Sequence, residues 1–137
     1  MKKLLALLIA VLTVFSSVAV FAADITVAVN GEEVAFDAKP YEQDGEVFIP
    51  FRFVAEKLGA IVSWDGETKT VFTVLGDSVS TMQIGNSKVF TEKENLTAAY
   101  APSILEDRTF VTKDIIEFAL KVKVAYDKAS SAVTITK

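Results

Sequence analysis

Carboxylates are the side chains of this sequence that could do acid–base chemistry, and they gather at four places. The clusters span residues 32–33, 65–67, 92–94 and 106–107. Two carboxylates flanking a glycosidic bond are enough for its hydrolysis, so a small carboxylate-dependent hydrolase is one hypothesis. No cluster has the alternating spacing and closing glutamate of a calcium loop. Because no particular pair stands out, we interpret the clusters as solvated turns and assign no catalytic residue and no metal ligand.

Two further pairs are candidates for binding, Arg52 with Glu56 and Trp64 with Tyr126. Arg52 and Glu56 stand four apart on a predicted helix, where side chains are neighbours. An exposed pair of this kind adds little stability, so we favour a structural role for Arg52, such as a hydrogen bond to a strand or loop carbonyl. Trp64 and Tyr126 would suit a sugar-binding platform if they were exposed, but the strand pattern described below places both in the core.

The composition excludes several classes of site. The 137 residues contain no histidine and no cysteine, and the formal net charge is −4. Without these two residue types the chain cannot form a Ser-His-Asp triad, a thiol nucleophile or a histidine-ligated copper or zinc site. The acidic balance argues against a nucleic acid partner, which requires a basic stripe. We therefore expect no metal or other cofactor and no nucleic acid partner.

Export is predicted from residues 1–22, which have the pattern of a secretory signal peptide. Lys2 and Lys3 precede an apolar run over residues 4–15, and small residues follow. Val20 and Ala22 occupy the −3 and −1 positions of a cleavage site after Ala22. The alternative is an uncleaved anchor, because residues 4–23 are just long enough to span a bilayer. Cleavage leaves residues 23–137 as a secreted or cell-surface domain without a transmembrane span.

The exported part repeats one pattern over residues 24–75 and 78–137, and residues 40–74 match residues 102–136 without a gap at an offset of 62. Such matches at apolar periodic positions and turn residues are typical of a repeated supersecondary unit. The identical pairs are Pro40/Pro102, Phe48/Phe110, Leu58/Leu120, Val62/Val124, Asp65/Asp127 and Val71/Val133.

Each unit is predicted to contain a hairpin, a short strand, a helix and a closing hairpin. Asn30-Gly31 is a two-residue hairpin turn, Pro50 opens the first helix and Gly59 ends it. Thr112 is the predicted N-cap of the second helix. We expect an α+β domain in which two similar ββ-β-α-ββ units are fused, each an antiparallel sheet packed on one short helix.

The orientation of the closing strands follows from two lysines. Lys121 and Lys123 alternate with Val122, Val124 and Tyr126, and lysines stay in water, so the other three face the core. The offset of 62 then places Ala60, Val62 and Trp64 on the core face of the first unit.

These residues resemble the copper amine oxidase N-terminal-like (stalk) domain family, whose pattern includes a "vNG" hairpin and "vPlRfvaE.LGa.V.Wd". The second half departs from the pattern, since Thr112, Asp114 and Lys121 stand where proline, arginine and glycine would be. The first half matches the pattern at Asn30, Gly31, Pro40, Asp44, Gly45, Ile49, Pro50, Arg52, Glu56, Leu58, Gly59, Val62, Trp64, Asp65, Lys69 and Val71.

The resemblance implies a non-catalytic module of exported bacterial proteins, of the kind attached to enzymes or wall proteins. Our first hypothesis is therefore a structural or interaction module at the cell envelope, whose partner is an envelope protein or a wall polymer. The second is a saccharide- or peptide-binding protein that uses an exposed sheet face or the long connection over residues 92–101.

Overall fold

The computed structural model describes residues 24–137, and the predicted signal peptide lies outside the described residues. Two helices are described, α1 (Phe51–Lys57) and α2 (Lys113–Leu120). The described strands are β1 (Thr26–Val29), β2 (Glu32–Glu33), β3 (Tyr41–Gln43), β4 (Glu46–Pro50), β5 (Ile61–Asp65), β6 (Thr70–Leu75), β7 (Ser78–Gln83), β8 (Lys88–Thr91), β9 (Asn95–Thr97), β10 (Ser103–Leu105), β11 (Arg108–Val111), β12 (Lys123–Asp127) and β13 (Ala132–Thr136).

The strands form three sheets, which makes the domain α+β as predicted. The five-stranded sheet has the order β5-β6-β7-β8-β9, the central sheet has the order β10-β11-β4-β3, and the terminal sheet has the order β12-β13-β1-β2. The pairing of β1 with β13 is parallel, with Thr26 opposite Ala132 and Val29 opposite Ile135. The other pairings described are antiparallel.

Each sheet contains strands from both halves of the chain, which differs from the prediction of one sheet per half. β6 pairs with β7, β11 pairs with β4 through Val111 and Ile49, and β1 pairs with β13. A hairpin leaves an unpaired edge, and another strand is needed to satisfy it. The closing hairpin of each half pairs with the opening hairpin of the other half, β6 with β7 and β13 with β1.

The first helix ends as its sequence predicts. The N–H of Ala60 donates to the carbonyl of Ala55 at 2.9 Å, and the N–H of Gly59 donates to that of Glu56 at 3.0 Å. This pair of bonds is a Schellman motif, which needs a left-handed residue at its centre. Gly59 supplies it with a φ of 91°.

The second helix begins at the predicted N-cap, Thr112, although its side chain does not cap a backbone N–H. The Thr112 hydroxyl instead donates to the carboxylate of Asp114. At the other end Lys121 adopts the left-handed conformation, with a φ of 56°, where glycine would be less strained. The second half thus keeps the helix although a lysine stands at its C-terminal end, where glycine is preferred.

The core lies between the sheets and the two helices. The apolar stripes of both helices are buried, including Phe51 and Val54 on α1 and Ile115 and Ile116 on α2. Val122 and Val124 are buried whereas Lys121 and Lys123 are exposed, so the predicted orientation of the closing strand is confirmed. Tyr126, which was also predicted to lie in the core, is half-buried. A smaller cluster on the central sheet comprises Ala38, Phe48 and Phe110 with Tyr41 and Tyr100 packed against it.

The predicted burial of Trp64 is wrong. Ala60 is buried and Val62 is half-buried, but Trp64 is 43% exposed. The side of β5 that carries Ala60, Val62 and Trp64 is therefore covered at the start of the strand and open near its end. The reason is that β5 forms an edge of the five-stranded sheet and Trp64 lies near its end.

No helix within residues 24–137 is long and apolar enough to cross a membrane.

Candidate interaction site

The indole of Trp64 lies at the mouth of a small groove on the edge of the five-stranded sheet. The opposite wall is the turn between β10 and β11, and α1 contributes Arg52. The groove has a volume of about 90 Å³. Small-molecule sites usually enclose roughly 300–1,000 Å³, so this groove has room for one side chain or one ring. Its lining residues are Phe51, Arg52, Val62, Trp64, Val71, Asp107, Arg108 and Thr109.

The two arginines of this groove are already engaged with other groups. Arg108 donates through Nε and Nη2 to the two oxygens of Asp37, at 2.9 and 2.5 Å, in a bidentate pair. This hydrogen bond from Arg108 holds the pKa of Asp37 below its usual range. Arg52 donates to the carbonyl of Val62 at 3.1 Å. The groove therefore offers an indole and an apolar wall more than a free positive charge.

A related groove occurs at Tyr126, on the terminal sheet. Its lining includes Val124, Tyr126 and Val133, which stand 62 positions after Val62, Trp64 and Val71 of the Trp64 groove. Its volume is about 170 Å³. The two grooves thus occupy corresponding places in the two halves of the chain.

The aromatic residue of the second groove is anchored by a hydrogen bond from its hydroxyl group. The hydroxyl of Tyr126 donates to Oε2 of Glu42 at 2.9 Å, and Lys128 lies 3.3 Å from Oε1 of the same carboxylate. Burial, and then the Glu42 carboxylate, raise the pKa of Tyr126. The hydrogen bonds from Tyr126 and Lys128 lower the pKa of Glu42. Trp64 has no hydroxyl to anchor in this way, and it stays half-exposed.

The pair Arg52 and Glu56 is resolved in favour of the predicted structural role. Arg52 bonds the Val62 carbonyl on the edge strand β5, as expected for a bridge to a strand carbonyl. In the second half, Oε2 of Glu117 on α2 accepts a hydrogen bond from the N–H of Val124, at 3.1 Å. Val62 and Val124 are equivalent at the offset of 62, so each edge strand has a backbone group satisfied by a helix side chain at the same position.

The acidic clusters are engaged in turns and ion pairs. Glu32 pairs with Lys57, which lowers the pKa of Glu32, and Asp65 accepts a hydrogen bond from the backbone of Glu67. Glu92 accepts hydrogen bonds from backbone N–H groups, including that of Val79 at 3.1 Å, and these bonds lower its pKa. Among residues 24–137 no group of three or more acidic side chains is arranged to hold a metal ion.

The connection over residues 92–101 is more ordered than the sequence predicts. It contains β9, which pairs with β8 as the last strand of the five-stranded sheet. The N–H of Ala99 donates to Oδ2 of Asp114 at 3.0 Å, which fastens the connection to α2. Beside it lies an open polar depression of about 660 Å³ where Glu94 pairs with Lys121. The strands β3, β9 and β10 were not predicted, because three residues are too few for an alternating pattern.

The outward side of the five-stranded sheet carries five exposed apolar residues, which we call the apolar sheet face. These side chains are between 40% and 71% exposed. Solvated faces of antiparallel sheets are usually polar, so this face is unusual. The apolar sheet face comprises Ile61, Phe72, Val74, Val79 and Phe90.

The fold and these surfaces define a small α+β domain with two small corresponding grooves and an exposed apolar sheet face. The sequence profile of the copper amine oxidase N-terminal domain family matches residues 28–135, so the chain belongs to that family. The suspected resemblance is thereby confirmed, and the match spans both halves. One curated relative, named "Protease inhibitor" in Brevibacillus choshinensis, is 29% identical over 101 residues. The match covers 74% of this chain and 31% of that relative, so the chain spans less than a third of its length.

Proposed function

We propose that this protein is an exported, non-catalytic structural or interaction module of the bacterial cell envelope. The observation that carries the proposal is the half-exposed Trp64 at a groove with room for one side chain. Tryptophan beside a small apolar recess is the kind of anchor that dominates protein–protein contacts. An envelope protein that inserts one side chain beside Trp64 is therefore the partner we favour.

Two comparisons support a non-catalytic role with a protein partner. The family is that of an N-terminal domain of an oxidase, and the namesake domain is a non-catalytic stalk. The relative from Brevibacillus is named for an action on other proteins. The signal-peptide pattern of residues 1–22 supports export to the compartment where such a module would work.

Export is tested by the intact mass of the protein recovered from a secreting bacterial host. We expect a mature chain that begins at Ala23, found in the medium or with the cell wall. A mass that retains residues 1–22 would place the protein on the membrane as an anchored module.

A saccharide- or peptide-binding protein is the second candidate, and the exposure of Trp64 favours it. An indole ring that is open on one side can stack on a sugar ring, and the apolar sheet face or residues 92–101 could extend such a site. Trp64 is the single tryptophan in the sequence, so its fluorescence reports this groove alone. Titration with wall glycan fragments should leave the emission unchanged under our first proposal. A saturable shift of the Trp64 emission would favour the saccharide-binding candidate. The control variant Lys123→Ala should then show the same shift.

We also propose that the two halves are copies of one structural unit. The bounds of β3, β5 and β12 support this, because Tyr41–Gln43 and Ile61–Asp65 shifted by 62 give Ser103–Leu105 and Lys123–Asp127. The two corresponding grooves support it as well. Fusion of two sequences designed from the first half alone would test the proposal, and a folded product with the same sheet pairing is expected.

A further inference from the structure

We infer that the apolar sheet face is the interface of a symmetric dimer of this chain. The face lies on the side of the five-stranded sheet opposite the core, away from the Trp64 groove. The inference therefore assigns another copy of the chain to a surface that our first proposed function, the contact at Trp64, does not use.

A second copy is favoured because one row of residues across the sheet has the same order of polar and aromatic side chains from either edge. Ser63 is opposite Phe72, Phe72 is opposite Thr81, Thr81 is opposite Phe90, and Phe90 is opposite Asn95. The row runs polar, Phe, Thr, Phe, polar across five strands, with Thr81 on the middle strand β7. An isologous dimer requires a surface that is complementary to itself, and this row has that property.

The geometry of sheet packing specifies the contacts. Two sheets stack face to face with their strands nearly aligned and roughly 10 Å apart. A two-fold axis along β7 places Phe72 of one copy over Phe90 of the second copy, and it does so twice. The same axis places Ser63 over Asn95 of the second copy, where a hydrogen bond can form. Two aromatic pairs are thus buried at the centre with polar residues at the border, as in specific interfaces.

The charge of the surface agrees with this choice. The whole sequence carries a net charge of −4, which repels like copies at most surfaces. The apolar sheet face and its central row contain no ionisable side chain. Asp65 and Lys88 lie on the same side of the sheet, two residues from Ser63 and Phe90, so charged groups border this contact. At the central row itself, two copies can meet without bringing acidic groups together.

The area is sufficient for a dimer of moderate affinity. Large apolar side chains cover about 150–250 Å² each, so the exposed fractions leave on the order of 400 Å² of apolar surface per copy. Two copies with their polar borders reach about 1,200 Å², the lower end of specific interfaces. We expect a dissociation constant in the range of about 1–100 µM.

Sedimentation equilibrium of the mature chain with charged variants tests the interface. The parent should be a dimer at about 200 µM, whereas Phe72→Lys and Phe90→Glu should each be monomers. An equimolar mixture of the two variants should dimerise again, because Lys at one position then faces Glu at the other. Ile104→Glu, at an equally exposed apolar position on the central sheet, is the matched control and should stay dimeric.

Circular dichroism confirms that each variant is folded, and Phe72→Thr and Phe90→Thr replace any that is not. A monomeric parent at about 200 µM would overturn the inference, as would dimers of both charged variants. Monomers in the mixture of the two variants would overturn the pairing of Phe72 with Phe90. None of these results changes the expected binding at Trp64, so the dimer and the proposed function fail independently.

Discussion

Charged side chains of the two helices bond backbone groups on edge strands of the sheets. Arg52 donates to the carbonyl of Val62 on β5, and Glu117 accepts from the N–H of Val124 on β12. The two side chains have opposite charge because one meets a carbonyl and the other an N–H. A backbone group that is already bonded cannot pair with another strand, so each of these side chains removes one pairing group from its edge strand.

Arg52→Ala should lower the free energy of unfolding by about 1 kcal/mol, the usual value of one hydrogen bond at a partly solvated site. Urea denaturation measures the change. Glu56→Ala, one turn along the same exposed helix face, is the control and should cost under about 0.5 kcal/mol. Equal losses in the two variants would show that the bond to Val62 contributes nothing.

The ion pair of Asp37 and Arg108 makes the free energy of unfolding depend on pH. Arg108 lowers the pKa of Asp37, so the unfolded chain binds this proton more readily than the folded chain does. The stabilisation is present above the usual aspartate range and is lost as the pH falls through the lowered folded value. Thermal melts between pH 7 and about pH 2 should therefore show a smaller acid loss in Asp37→Asn than in the parent.

Helix ends and short turns determine the elements of the first half. Gly59 ends α1 at a φ of 91°, and a Cβ there meets no atom within 4 Å. Any cost of a side chain at this position therefore comes from the backbone conformation and not from a clash.

Gly59→Ala should destabilise the domain by about 1–2 kcal/mol, the cost of a left-handed conformation for a residue with a Cβ. Gly66→Ala is the control, since its Cβ would make an ordinary contact 3.5 Å from Nε1 of Trp64 and its φ is not left-handed. Chemical denaturation of the two variants compares them. A Gly66→Ala variant as unstable as Gly59→Ala would refute the backbone explanation.

The elements with a strong local pattern were predictable from the sequence. The helix stripes, the ends of α1 and the orientation of β12 follow from periodicity and turn residues that act within a few positions. The pairing of β1 with β13 joins the first and the last of the described strands, and no local pattern of the sequence encodes it. The exposure of Trp64 likewise depends on which strand became an edge, and the bidentate contact of Arg108 with Asp37 depends on a distant loop. These features arise from tertiary assembly.

The whole molecule is held together by sheets that both halves share. The central sheet takes β3 and β4 from the first half and β10 and β11 from the second, and the terminal sheet closes β1 onto β13. Tyr126 bonds Glu42 across the halves as well. A half alone would expose the edges of its hairpins and one side of its helix.

Separate fragments 24–76 and 77–137 should therefore be unfolded, whereas the mature chain should melt in one cooperative transition. Circular dichroism and the heat absorbed on melting measure this. Mixing the fragments should restore strand signal if they recognise each other. A folded fragment on its own would show that the halves are independent units.

Binding to isolated cell envelopes, measured with Trp64→Ala, tests most directly whether this domain is an interaction module that works through its exposed tryptophan. The parent and the control Lys123→Ala should sediment with intact envelopes, and protease treatment of the envelopes should abolish that binding. Trp64→Ala should bind at least about tenfold more weakly, the effect of losing a central aromatic anchor. If Trp64→Ala binds as well as the parent, or if protein-free walls retain the parent in full, the assignment of the Trp64 groove to a protein partner is wrong.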